Sequence, residues 1–187
     1  MFENLLEKIA LSLERAAVPY MVIGGQAVLL HGEPRLTKDI DITLGAGIDR
    51  LQEIRTLVST MGLLPLVDSD EFTSRTMVLP CSDPGSGIRV DFIFSFSPYE
   101  HQAIGRALRV PIGSAHVRFA SAEDLVIHKM IAGRPRDLED VRMVLLKNPG
   151  LDIGYVRGWL SDFTLTLAED YASRFESLVA STGQGRT

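Results

Sequence analysis

The chain has 187 residues, 45% of them apolar, and a formal charge of −5. That length fits one well-packed domain, or one domain with a small helical appendage. The acidic balance excludes a protein that coats nucleic acid non-specifically, because such binding rests on many phosphate contacts. Cys81 is the only cysteine, which excludes a disulfide framework or a thiolate cluster. No apolar run approaches the length of a membrane span, and MFENLLEKIA lacks the basic-then-apolar pattern of a secretory signal. The expectation is a globular cytoplasmic protein with no membrane association.

In chain order, Leu5, Leu6, Ile9, Leu13 and Ala16 recur at helical spacing and predict a helix over 3–16. Tyr20-Met21-Val22-Ile23 reads as a buried strand. Gly24-Gly25 then turns the chain, and 26–31 reads as a short helix. Asp39 to Leu44 is a second strand, and 49–61 an amphipathic helix ended by Gly62. Met77-Val78-Leu79 and Arg89 to Ser95 are strands around a turn-rich 81–87. Short strands follow at 108–110 and 117–119. From Ser121, a capping serine before Glu123 and Asp124, helix follows helix, with breaks near Gly133, Asn148-Pro149-Gly150 and Phe163-Thr164. The expected division is therefore an α/β domain over 1–120, a helical domain over 121–180 and a mobile tail over 181–187.

Side chains at i and i+2 of a strand share a face. Asp39 and Asp41 point together, with Cα atoms about 6–7 Å apart, while Ile40 and Ile42 point into the core. Aligned carboxylates repel, and a divalent cation between them reverses that sign. The plain alternative is an edge strand with solvated aspartates. Asp91 is the one carboxylate in the apolar run Arg89-Val90-Asp91-Phe92-Ile93-Phe94. It reads either as a structural ion pair with Arg89 or as a third ligand, and three carboxylates on two strands suit two-metal displacement at phosphorus. A strand, Gly24-Gly25 and a helix start let backbone N–H groups approach a triphosphate, against the plain reading of a tight turn. Arg35 and Thr37 read as a phosphate contact and a strand-entry residue, or as an ordinary surface arginine and strand threonine.

An apolar strand, Gly-Gly, a spacer, Asp-x-Asp and a later apolar-Asp-apolar strand resemble the polymerase-β-like nucleotidyltransferase superfamily. Gly24-Gly25, Asp39-x-Asp41 and Asp91 match in type and order. Within it, Arg35-x-Thr37-x-Asp39-Ile40-Asp41 is similar to the AbiEii-type toxin nucleotidyltransferases. Lys129, Arg136-Asp137 and Asp140 match a further element of that family, so the resemblance runs from about residue 5 to about 147. The chain departs from the commonest pattern in its longer Gly25–Asp39 spacer and in Gly-Gly for Gly-Ser.

The resemblance implies a nucleotidyltransferase-fold mixed sheet with flanking helices, followed by a helical domain. It implies transfer of an NMP from an NTP to an acceptor hydroxyl, with tRNA as an acceptor and an antitoxin as a protein partner. Asp39, Asp41 and Asp91 would hold two Mg²⁺ ions, and Asp91 would serve as base. Gly24, Gly25, Arg35, Thr37, Lys129, Asp137 and Asp140 would meet the nucleotide, with Lys129 steadying the triphosphate. Lys129 alternatively is a solvated lysine, and Asp137 alternatively holds Lys129 or Arg134 in place. Protein or an aminoglycoside-like small molecule is the alternative acceptor, and a non-catalytic nucleotide- or partner-binding protein is the remaining reading. His31, His101, His116 and His128 show no metal spacing, and Trp159 and Phe163 read as helical core.

Overall fold

The computed structural model describes residues 1–95 and 97–183. Seven strands form one mixed sheet: β1 (Tyr20–Ile23), β2 (Asp39–Leu44), β3 (Leu64–Pro65), β4 (Val78–Ser82), β5 (Arg89–Phe94), β6 (Leu108–Ile112) and β7 (Ala115–Phe119). Their order is β3-β4-β5-β2-β1-β7-β6. β2 runs antiparallel to β1 and parallel to β5, and β1 runs parallel to β7. The four helices that accompany the sheet are α1 (Phe2–Arg15), α3 (Leu51–Thr60), α4 (Asp70–Thr76) and α5 (Pro98–Gly105). The mixed sheet with flanking helices is the fold class that the motifs imply.

The chain separates into two compact units. One holds Met1–Gln26 and Leu36–Ala120, and the other holds Ala27–Arg35 and Ser121–Thr187. Helix α2 (Gly24–His31) starts in the first and continues in the second. The second unit is otherwise α6 (Ala122–Ala132), α7 (Pro135–Lys147), α8 (Ile153–Leu167) and α9 (Tyr171–Thr182).

The first unit's core follows from strand alternation. Ile40, Ile42, Val90 and Phe92 are fully buried, and α1 adds Leu5, Leu6, Ile9 and Leu13 from its apolar stripe. The second unit closes over Leu125, Met130, Val141, Leu145, Leu160 and Phe175. Local chemistry sets the helix ends. Ser121 accepts from the Asp124 N–H, Gly133 closes α6 at φ +63°, and Pro135 opens α7.

Several boundaries differ from expectation. Gly24-Gly25 is the first turn of α2 rather than a loop before it. Cys81 lies in β4, where its pairing with Val90 overrides the turn-rich composition that follows. The break expected near Phe163–Thr164 falls after Leu167. There the Thr164 hydroxyl donates to the Leu160 carbonyl, so the threonine is accommodated inside the helix. Ser181 and Thr182 belong to α9 rather than to a mobile tail, and 184–187 lie outside the described residues. Trp159 and Phe163 are half-buried, with ring centroids 6.3 Å apart.

Candidate active site

The first unit carries its chemistry on one face of the sheet. β2 and β5 pair in register, Asp39 beside Arg89 and Asp41 beside Asp91. Registered neighbours in a parallel pair share a face and lie about 4.8 Å apart. All three aspartates and Arg89 therefore project from the same face, while Ile40, Ile42, Val90 and Phe92 fill the other. The three expected acidic residues are brought together as a row across two strands.

Each carboxylate has a distinct setting. Asp39 accepts a hydrogen bond from the Thr37 hydroxyl at 3.0 Å. Asp91 accepts from Arg89 Nε at 2.8 Å, the structural ion pair that the sequence allowed. That bond to Asp91 raises the Arg89 pKa against the opposing effect of partial burial, and the charges of Asp91, Asp39 and Asp41 raise it further. Asp41 packs onto the start of α2. Gly24 has φ +62°, and a Cβ there would overlap the Asp41 carboxylate. A Cβ on Gly25 would likewise overlap the Thr37 hydroxyl. The glycine pair thus seats the Asp41 carboxylate and Thr37 against a helix N-terminus, whose first N–H groups have no partner within the helix.

The donor set fits a hard divalent cation, being carboxylate oxygens on adjacent strands beside a glycine that leaves room for Asp41. Asp39 and Asp41 stand two residues apart on β2 and share its face. Asp91 is turned to Arg89, and among the described residues no three His, Cys, Asp or Glu side chains converge as a ready-made cage.

The second unit holds the other expected residues in one bonded cluster. The Lys129 ammonium meets Asp137 at 2.7 Å and Asp140 at 2.8 Å. The Arg35 guanidinium makes a fork onto the two oxygens of Asp140, at 3.1 and 3.0 Å. Arg134 Nε reaches Asp137 at 2.6 Å. Lys129 is only 5% exposed, so the solvated-lysine reading is overturned. Asp137 does hold both Lys129 and Arg134. Burial pushes its carboxyl pKa up, and the hydrogen bonds from Arg134 and Lys129 outweigh that, leaving it below the usual aspartate value.

One pair escaped the sequence reading. Arg109 and Arg118 lie directly opposite each other on β6 and β7. Val22 pairs with Phe119, so Arg118 faces the other way, toward the side of Ile23 and its partner Asp41. Neither guanidinium has a hydrogen-bond or ion-pair partner among the described residues. The signal was available, because a hairpin turning at Gly113-Ser114 sets 109 against 118.

A mixed sheet with a glycine-led helix and aspartates on two parallel neighbours defines a nucleotidyltransferase fold, and solved structures agree. The antibiotic-resistance factor ANT(2″)-Ia in solution aligns with TM-score 0.61 and 16% identity, covering 89% of this chain and 94% of that one. ANT(2″)-Ia in complex with adenylyl-2″-tobramycin aligns with TM-score 0.57 and 18% identity over 88% and 98%. An antigenic nucleotidyltransferase-like protein from Paracoccidioides brasiliensis aligns with TM-score 0.54 and 16% identity over 93% and 91%. At such identities the likeness is one of fold. No curated protein matches the sequence. The family model of the nucleotidyl transferase AbiEii toxin, type IV toxin–antitoxin system, matches residues 5–172, and the chain belongs to that family. Among the described residues, no helix is long and apolar enough to cross a membrane.

Proposed function

We propose that this chain transfers an NMP from an NTP to the terminal hydroxyl of an RNA acceptor, and that it does so as the toxin of a toxin–antitoxin pair. The observation that carries the transfer reading is the row of Asp39, Asp41 and Asp91 on one sheet face beside Gly24. Three carboxylates against one guanidinium leave these four side chains with a formal charge of −2. A binding module has no use for that arrangement.

In this reading Asp39, Asp41 and Asp91 would hold two Mg²⁺ ions. Such ions supply polarisation of the α-phosphate and a lowered pKa at the attacking hydroxyl. The chain's own residues do the rest. Asp91 accepts the proton of the acceptor hydroxyl once Arg89 has left it. Thr37 orients Asp39 through the 3.0 Å hydrogen bond. Gly24 and Gly25 keep the first turn of α2 free of side chains, so its N–H groups receive phosphate oxygens. Lys129, Asp137 and Asp140 enter as the charged group that the family resemblance assigns to the nucleotide. Arg35 is committed to Asp140 and serves as its positioning residue.

The acceptor reading rests on Arg109 and Arg118. Strand spacing and rise put the Arg118 Cα about 12 Å from that of Asp41, on the same face. Two arginines without carboxylate partners receive phosphates and repel a polycation. That favours RNA over the aminoglycoside-like alternative, to which ANT(2″)-Ia with its adenylyl-tobramycin ligand gives a likeness of fold alone. The antitoxin partner rests on the family.

The test is label transfer from each of four α-³²P NTPs, with Mg²⁺, to total tRNA, to the protein itself and to tobramycin. Label on RNA that vanishes in the D39A/D41A double variant supports the reading. Mg-dependent transfer that survives the double variant overturns the carboxylate assignment. Label on protein or on tobramycin instead overturns the acceptor.

A further inference from the structure

We infer that Arg89 is a built-in counter-ion of the carboxylate face, which a divalent cation must displace from Asp91, and that it thereby sets how tightly the face holds metal. The inference rests on the transfer reading above and adds a residue that the reaction itself does not require.

Register supplies the first argument. Arg89 stands beside Asp39 and two residues from Asp91, so its guanidinium lies on the face of the three aspartates, whose charges all act on it. The bond supplies the second. Arg89 Nε donates to Asp91 Oδ1 at 2.8 Å and takes up one of the oxygens that a cation would use. Exposure supplies the third. The Arg89 side chain is 54% exposed and that of Asp91 only 16%. The arginine can leave toward solvent at small cost, since an exposed ion pair contributes little stability. The carboxylate, fixed on a strand, stays.

Two states follow. In one, Arg89 offsets part of the repulsion between aligned aspartates. In the other, a divalent cation does so and Arg89 swings out. The guanidinium and the cation repel at close range, so they compete for one face.

The experiment uses the full chain with Mn²⁺ alone as probe. Binding is read by electron paramagnetic resonance of the unbound ion, alongside Tm with and without Mn²⁺. R89Q is expected to bind Mn²⁺ about five- to tenfold more tightly than wild type at low salt. That gain shrinks as ionic strength rises. Metal-free R89Q melts lower than wild type and gains more in Tm from Mn²⁺. R89K, which keeps the charge, stays near wild type. Equal or weaker Mn²⁺ binding by R89Q, while D41N abolishes it, would overturn the role of Arg89 and leave the metal site standing. Binding that is identical in wild type, R89Q and D41N would overturn the metal reading as well.

Discussion

The two units each gather charge, and they handle it in opposite ways. In the second unit, two carboxylates meet three cations. Asp137 and Asp140 are bonded to Lys129, Arg35 and Arg134 at 3.3 Å or closer, and the aspartates and the lysine are buried. In the first unit, three aspartates line one sheet face, where Asp91 is paired with the half-exposed Arg89 and Asp39 accepts from the Thr37 hydroxyl. Burial without partners is costly, so a protein satisfies its charges wherever they serve the fold alone. In the reading proposed above, the row of aspartates takes a further counter-ion from outside the chain. The cluster in which both carboxylates are bonded to cations acts as a brace. Geometry thus separates two groups of residues that the motif presents as one.

That contrast breaks most visibly in a double substitution. D39A/D41A should reduce NMP transfer by at least about a thousandfold, the loss expected when residues acting as a unit are removed. Stability should hold or rise, since like charges are removed. Label-transfer kinetics and thermal melting check both halves. A matching fall in Tm would place these aspartates with the structural charges.

The brace makes the reverse prediction. D137N leaves the buried Lys129, and the exposed Arg134, short of a carboxylate and should cost about 3 kcal/mol. For a chain of this length that lowers Tm by about 6–12 °C. The pH dependence has a definite sign. The folded-state carboxyl lies below the ordinary value of 3.8, so its contribution is complete above that value. It is lost as pH falls through the folded-state pKa. The difference between wild type and D137N should therefore be flat above about pH 5 and shrink below about pH 3.8. K129M separates the two roles of the lysine. If it acts on the nucleotide as well as on the brace, the KM for NTP rises by more than the loss of stability explains.

Much of this was readable in the chain. Alternation at Asp39-Ile40-Asp41-Ile42 and Arg89-Val90-Asp91-Phe92 placed acids on one face and apolar residues on the other, and the register confirms it. Helix ends at Ser121 and Gly133 were legible because capping is a local rule. What stayed hidden depends on residues far apart in sequence. Lys129 looks like any helical lysine until Asp137 and Asp140 close over it. Arg35 looks like a phosphate ligand until Asp140, 105 residues away, takes its guanidinium. The elements α4 and α5 went unnoticed because they are short and carry weak apolar periodicity, and they are marked only by the caps at Ser69 and Ser97.

A smaller effect is expected at the glycine pair. G24A places a Cβ against the Asp41 carboxylate in a left-handed backbone that alanine tolerates poorly. It should lower kcat by roughly ten- to a hundredfold by displacing one carboxylate. The cost in stability should be about 1–2 kcal/mol. G25A, without the positive φ but against the Thr37 hydroxyl, should cost less stability and disturb Asp39 through Thr37. Comparing Mn²⁺ affinity in the two variants tells whether the glycines serve the carboxylates or only the turn.

The smallest effect tests the acceptor. R109Q and R118Q should each weaken RNA binding severalfold and together reduce the slope of log affinity against log salt by about one to two. NTP affinity and transfer to water should not change, because neither side chain lies in the row of aspartates. Stability should rise slightly, since the pair sets like charges directly across an antiparallel ladder. That sign is the informative part. A gain in stability would support the proposed reading, in which the arginine pair is there for an anion. If the double variant lost both stability and RNA binding, the arginines would be part of the fold. An unchanged salt slope would move the RNA to another surface, while the three aspartates kept their role.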